Sequence, residues 1–222
     1  MATSDRAFDV DLLILDLDGV LVDTQDAEDG ALAYVGTLMG VHLTPDQASA
    51  LFSGKRVQEC LDLLAEMAHR PPPPDAVRIV RAKCQELIGG TLEPVPGVED
   101  ALRRVGVELC VASNSPREII EKRLADCGLL GLFGDRLYSA YEVNAWKPDP
   151  ELFRWAARDR GVAVDRCVVV EDSLVGVDAA LSAGMRVLQF NVVPVEAPHR
   201  AGVPTFSSMH VLPELVHGGS PS

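Results

Sequence analysis

One stretch constrains this chain more than any other: the apolar run Val10–Leu15, which ends in the acidic turn Asp16-Leu17-Asp18-Gly19. A run this uniformly apolar reads as a strand buried on both faces, the pattern of a parallel sheet covered by helices. The turn brings two carboxylates to the point where such a strand leaves the core. Neighbouring carboxylates repel one another, which costs stability unless a cation or a reaction compensates. In open parallel sheets the carboxyl ends of the strands are where ligands bind. An Asp-Gly turn is also an ordinary polar loop, so the rest of the chain has to decide.

With 222 residues, 47% of them apolar, the chain can form one sizeable core plus a smaller accessory domain. Its net charge of −13 argues against nucleic acid or an anionic membrane as a partner. An acidic protein that handles an anion needs positive charge at the site itself, from a metal, a lysine or helix N-termini. The five cysteines have no Cys-x-x-Cys spacing and read as reduced structural thiols. Met1–Arg6 lacks a basic region followed by a cleavable apolar segment. No apolar run approaches the ~20 residues that cross a bilayer. The expectation is a soluble, cytoplasmic protein, monomeric or a homodimer, with no membrane or nucleic-acid partner.

Residues 25–90 are nearly all helical in pattern. Helices are expected over Ala27–Met39, from a Thr44-Pro45 cap to Phe52, over Val57–Ala68 and over Asp75–Gly89, with the spacer Pro71–Pro74 before the last. From Gly97 onward helix and strand alternate, with helices expected over Val98–Val105, Arg117–Cys127, Asp149–Arg160 and Gly176–Ala183. Strands are expected at Glu108–Ala112, Arg136–Ser139, Cys167–Val170 and Arg186–Phe190, with a weaker one near Thr205-Phe206; the tail Gly218–Ser222 reads as frayed. The pattern predicts an α/β, doubly wound, Rossmann-like parallel sheet core over residues 1–22 and 93–222, with an inserted small α-helical cap domain over residues 23–92. The hinges fall at Val22–Gln25 and Thr91–Gly97.

Three further polar clusters sit where strands end or helices begin. Ser113-Asn114 precedes Pro116 and offers a hydroxyl and free amides to an anion. Lys147 lies in the loop Asn144–Pro150, which its two prolines, Pro148 and Pro150, make rigid enough to hold the lysine pointing inward. Glu171-Asp172-Ser173 follows the apolar run Cys167–Val170, and paired acids there suit a hard, oxygen-seeking cation. Each cluster alone is as well explained by a helix cap or a solvated charge.

Together the clusters resemble the haloacid dehalogenase-like hydrolase superfamily. Asp16-x-Asp18-Gly19-Val20-x-x-Asp23-Thr24, Ser113-Asn114, Lys147-Pro148 and Glu171-Asp172-Ser173-x-x-Gly176 fit its four motifs in order and spacing. The subgroup most similar is that of the β-phosphoglucomutase-like sugar-phosphate phosphatases. Within it, Tyr138–Pro150 and Val168–Met185 are similar to bacterial 6-phosphogluconate phosphatase-type proteins. The resemblance implies a Mg²⁺-dependent phosphatase acting on a small phosphorylated sugar or sugar acid. Asp16 is then the nucleophile, forming an aspartyl-phosphate, and Asp18 the general acid/base. Asp16, the Asp18 carbonyl and Asp172 are the metal ligands, with Glu171 direct or outer-shell. Ser113, the Asn114 backbone and Lys147 hold the phosphoryl oxygens.

In the cap, Ser53-Gly54-Lys55-Arg56 falls between helices, which makes Lys55 or Arg56 a candidate contact to a substrate hydroxyl or carboxylate. Two other functions stay open. Mutases of the same subgroup carry a histidine four residues after the threonine that matches Thr24, where this chain has Glu28. A catalytically silent binding protein on the same fold is the third reading; the full set of Asp16, Asp18, Lys147 and Asp172 argues against it.

Overall fold

The computed structural model describes residues 9–52, 55, 57–89, 92–191 and 199–219. Arg56, Ser53, Gly54, Thr91, Met1–Arg6 and the end of the tail therefore lie outside the described residues. Those described form two compact units, one drawn from residues up to Val22 and from Glu93 onward, the other spanning Asp23–Leu92.

The second unit is helical: α1 (Gln25–Leu38), α2 (Pro45–Phe52), α3 (Val57–Ala68) and α4 (Ala76–Ile88). Leu32 and Val35 of α1, Phe52 of α2, Leu61 and Leu64 of α3 and Val80 and Cys84 of α4 are all buried. Their spacing within each helix is the three-to-four repeat that gives a helix one apolar face. The N-cap of α1 is Thr24, whose Oγ1 donates to Glu28 Oε1 at 2.8 Å rather than capping an amide.

The first unit is built on a sheet of six parallel strands among the described residues, in the order β3-β2-β1-β4-β5-β6. They are β1 (Leu12–Leu15), β2 (Glu108–Ser113), β3 (Leu137–Ser139), β4 (Cys167–Glu171), β5 (Arg186–Phe190) and β6 (Thr205–Phe206). Leu12–Leu15 are fully buried, because β1 lies mid-sheet with both faces covered. Helices α5 (Val98–Arg104), α6 (Arg117–Asp126), α7 (Leu130–Phe133), α8 (Ala140–Val143), α9 (Glu151–Arg160), α10 (Leu174–Ala183) and α11 (Leu212–Val216) complete the unit. On one face Leu12, Ile14, Cys110, Ala112 and Val169 share a cluster with Leu152, Phe153 and Ala156 of α9 and Val177 and Ala180 of α10. Their alternates, Leu13, Leu15, Val111 and Val170, point to the opposite face.

The short elements α7, α8 and α11 have no counterpart in the sequence expectation, because a single turn carries too little periodicity to register. The cysteines are all free, four of them buried. No helix among the described residues is long and apolar enough to cross a membrane.

The chain runs from β1 through β2 to β3 in one direction, then returns past β1 to place β4, β5 and β6 on the other side. The reversal falls between β1 and β4, where a doubly wound sheet opens a crevice at its carboxyl edge. Past β1, the segment Leu17–Val22 closes a tight loop, with Gly19 N donating to Val22 O at 2.9 Å and Val22 N to Leu17 O at 3.1 Å.

Candidate active site

Because the strands are parallel, the ends of β1, β2, β3 and β4 fall on one edge, and Asp16, Ser113, Ser139 and Glu171 stand there together. Asp16 follows β1 directly, its amide donating to Val170 O at 3.0 Å. Lys147 reaches into this edge from the loop before α9 and is almost wholly buried. Its Nζ donates to Asp16 Oδ1 and to Glu171 Oε1, each at 2.5 Å, and lies 5.0 Å from the centroid of the Phe153 ring. Burial alone would lower the ammonium's pKa. The Asp16 and Glu171 carboxylates outweigh that and hold it above its ordinary value, so the lysine is a fixed positive charge.

The loop carrying Lys147 is tied to the end of β2, since Lys147 N donates to Asn114 Oδ1 at 2.9 Å. The Asn114 side chain thus has a structural task that the sequence reading did not assign to it. Ser113 is buried, and its Oγ accepts from Ser115 N at 3.1 Å. Ser115 O in turn accepts from Ser139 Oγ at 2.7 Å, and Ser139 caps α8 in a capping box with Glu142. Neither Ser115 nor Ser139 stood out in the sequence, because a hydroxyl at a strand end is common and its partner is distant along the chain. Trp146 packs edge-on against Tyr141, ring centroids 5.3 Å apart.

At the end of β4, Glu171 Oε2 accepts from Ser173 N at 3.1 Å and from Ser173 Oγ at 2.9 Å. Ser173 Oγ also accepts from Gly176 N at 3.2 Å, which caps α10. Burial pushes the Glu171 carboxyl up and Asp16 adds to this, while Lys147 and Ser173 pull the other way. Two glycines let the acids fit. A Cβ on Gly176 would lie 1.8 Å from Glu171 Oε1, and one on Gly19, at φ +77°, would lie 2.2 Å from Asp172 Oδ2.

Asp16, Glu171 and Asp172 each offer a carboxylate oxygen, and these atoms lie within 4.8 Å of one another. Three carboxylates against the single Lys147 ammonium leave an excess of negative charge. The donors are all oxygens, so the cluster fits a hard divalent cation such as Mg²⁺ rather than a thiolate- or imidazole-seeking metal.

Asp18, two residues beyond Asp16, is only partly buried. Its Oδ1 accepts from Arg123 Nη1, and its Oδ2 lies 3.5 Å from Ser115 Oγ. Desolvation raises the Asp18 pKa; the Arg123 charge works against this and the Asp16 charge with it. Sequence reading passed over Arg123. Its spacing from Ile120 and Leu124, with which it shares the buried face of α6, was the available signal. Lys55, in the helical unit, is exposed.

A strand-end cluster of this composition, on a doubly wound parallel sheet, defines a class of hydrolase. The haloacid dehalogenase-like hydrolase family model matches residues 10–184, and the chain belongs to that family. The 6-phosphogluconate phosphatase of Escherichia coli (strain K12) is 30% identical over 208 residues, covering 93% of this chain and 94% of that protein. A conserved haloacid dehalogenase-like protein from Agrobacterium tumefaciens str. C58 superposes with a TM-score of 0.82 at 30% identity, covering 93% of this chain and 97% of the other. A HAD family hydrolase from Deinococcus radiodurans R1, solved with bound phosphate and sodium, gives a TM-score of 0.75 at 28% identity, covering 97% and 100%. Family and relatives support a phosphoric monoester hydrolase.

Proposed function

We propose that this chain is a Mg²⁺-dependent phosphatase that removes the phosphoryl group from a small phosphorylated sugar or sugar acid through an aspartyl-phosphate on Asp16. The observation that carries this reading is the Lys147 ammonium seated between Asp16 and Glu171 at the carboxyl edge of the sheet. A positive charge fixed beside a carboxylate nucleophile is what an anionic phosphoryl group needs to approach it. The 6-phosphogluconate phosphatase relative supports this substrate class, and the phosphate bound in the Deinococcus radiodurans neighbour supports a phosphoryl site on this fold.

In this reading the Asp16 carboxylate attacks phosphorus in line with the leaving oxygen. The bond to that oxygen breaks as Asp18 supplies its proton. Asp18 then takes a proton from the water that attacks the aspartyl-phosphate, which releases inorganic phosphate and restores Asp16. Ser113, the Asn114 backbone and Lys147 hold the phosphoryl oxygens. Asp16, the Asp18 carbonyl and Asp172 would hold Mg²⁺, with Glu171 beside them. When bound, the ion offsets the repulsion between Asp16 and the anionic substrate. The helical unit, residues 23–92, serves as the cap, with Lys55 and Arg56 its candidate substrate contacts.

The test is phosphate release from a panel of phosphorylated sugars, sugar acids and polyols. Release from one group with Mg²⁺, abolished by EDTA and lowered at least about 1,000-fold by Asp16→Asn, is the expected result. Conversion of β-glucose 1-phosphate to glucose 6-phosphate without release would identify a mutase instead. Inactivity in both assays would favour a binding protein.

A further inference from the structure

A buried guanidinium on α6 stands apart from the four strand-end clusters. Arg123 is 8% exposed, and its Nη1 donates to Asp18 Oδ1. Its Nε is buried without a hydrogen-bond partner among the described residues. Taking a guanidinium out of water is unfavourable unless a carboxylate compensates it, and the carboxylate opposite Arg123 is Asp18. An apolar residue at 123 would continue the Ile120–Leu124 face of the helix without that cost. Packing therefore does not account for the charge.

The helix that carries Arg123 is firmly placed. It starts just after Ser113-Asn114-Ser115-Pro116, and its first residue, Arg117, donates to Leu137 O at 2.8 Å and Asp135 O at 3.2 Å. Arg123 therefore reaches Asp18 from a fixed platform. With Oδ1 occupied, the second oxygen of Asp18 is left with Ser115 Oγ at 3.5 Å, the far limit of a hydrogen bond.

We propose that Arg123 is a positioning residue, whose guanidinium holds Oδ1 of Asp18 so that Oδ2 is the oxygen that passes a proton to the leaving group. The inference rests on the phosphatase reading above and adds a residue to it. In the step concerned, an Asp16 oxygen bonds to phosphorus, the bond from phosphorus to the leaving oxygen breaks, and the Oδ2 proton moves to that oxygen. Asp18 ends as a carboxylate, and the adjacent guanidinium stabilises the charge as it develops.

Phenyl phosphate and 4-nitrophenyl phosphate separate this role from a structural one. They share a shape, but phenolate leaves poorly without a proton while 4-nitrophenolate leaves readily. For each, kcat/KM reports the steps up to aspartyl-phosphate formation. Arg123→Met should lower kcat/KM about tenfold or more for phenyl phosphate and less than about threefold for 4-nitrophenyl phosphate, with Arg123→Lys partly restoring the former. In an Asp18→Asn background the same change should have no further effect on phenyl phosphate, because the two residues act as one unit. Equal losses on both substrates, no loss on either, or full additivity with Asp18→Asn would overturn the proposal. If Arg123→Met does not fold, Arg123→Lys carries the same comparison, alone and with Asp18→Asn. Failure of the wild-type protein to release phosphate with Mg²⁺ from either ester and from every phosphorylated sugar, sugar acid and polyol of the panel is a separate outcome; it rejects the phosphatase reading and this inference with it.

Discussion

A methyl group at Gly176 would occupy the position of the Glu171 carboxylate, only 1.8 Å from Oε1. Glu171 cannot step aside, because it is buried and held by Lys147 on one oxygen and by Ser173 on the other. Gly176→Ala should therefore displace the acid and overpack the helix start. Overpacking costs about 1–3 kcal/mol, or roughly 2–4 °C in Tm for each kcal/mol in a chain of this size. Activity should fall about tenfold or more, since Lys147 loses the partner that aims it at Asp16. Calorimetry and phosphate release check the two effects; wild-type values in both would contradict the crowding argument. At this scale the sequence was informative where a residue type is rare in its setting. Two acids after an apolar strand and a lysine just before Pro148 and Pro150 were both legible. Arg123 was not, because an arginine in a helix rich in charge reads as solvated until its neighbours Ile120 and Leu124 are found on the buried face.

Among the elements, α1 carries a buried acid. Asp29 is 4% exposed; it accepts from Gln25 Nε2 at 2.9 Å, and its Oδ2 has no hydrogen-bond partner among the described residues. Desolvation raises its pKa above the ordinary value of 3.8, against the Gln25 and Ser49 hydrogen bonds and with help from Asp26. A raised value means that the folded chain holds this proton more tightly than the unfolded chain does. Ionisation therefore weakens folding, fully so above the folded-state pKa and not at all below 3.8. Asp29→Asn should raise Tm at pH 7, and the gain should shrink as the pH falls toward 3.8. A gain that is absent at pH 7, or that grows on acidification, would contradict this. Helices α1, α3 and α4 were legible from periodicity alone, to within two residues at either end. Helix α10 was placed late, from Gly176. Its first turn, Leu174–Val175, gives no periodic signal, and the bonds from Gly176 N to Ser173 Oγ and from Val177 N to Ser173 O mark where it starts.

For the whole molecule, the order of elements was enough to predict a doubly wound parallel sheet. Uniformly apolar strands separated by helical segments have few other ways to bury both faces. The strand order was not legible, because nothing local in the sequence says that β4 lies beside β1 instead of β3. That adjacency brings Glu171 and Asp172 to Asp16, and so joins two separately ordinary motifs in one acidic cluster. The account depends most on Asp16 as the atom that receives the phosphoryl group. The direct measurement is a rapid acid quench of the Mg²⁺-loaded protein during turnover of ³²P-labelled 6-phosphogluconate or 4-nitrophenyl phosphate, followed by peptide mapping. Label on Asp16, lost on hydroxylamine treatment and absent from Asp16→Asn, is the predicted result. Turnover with no labelled protein, or label on another residue, would contradict it.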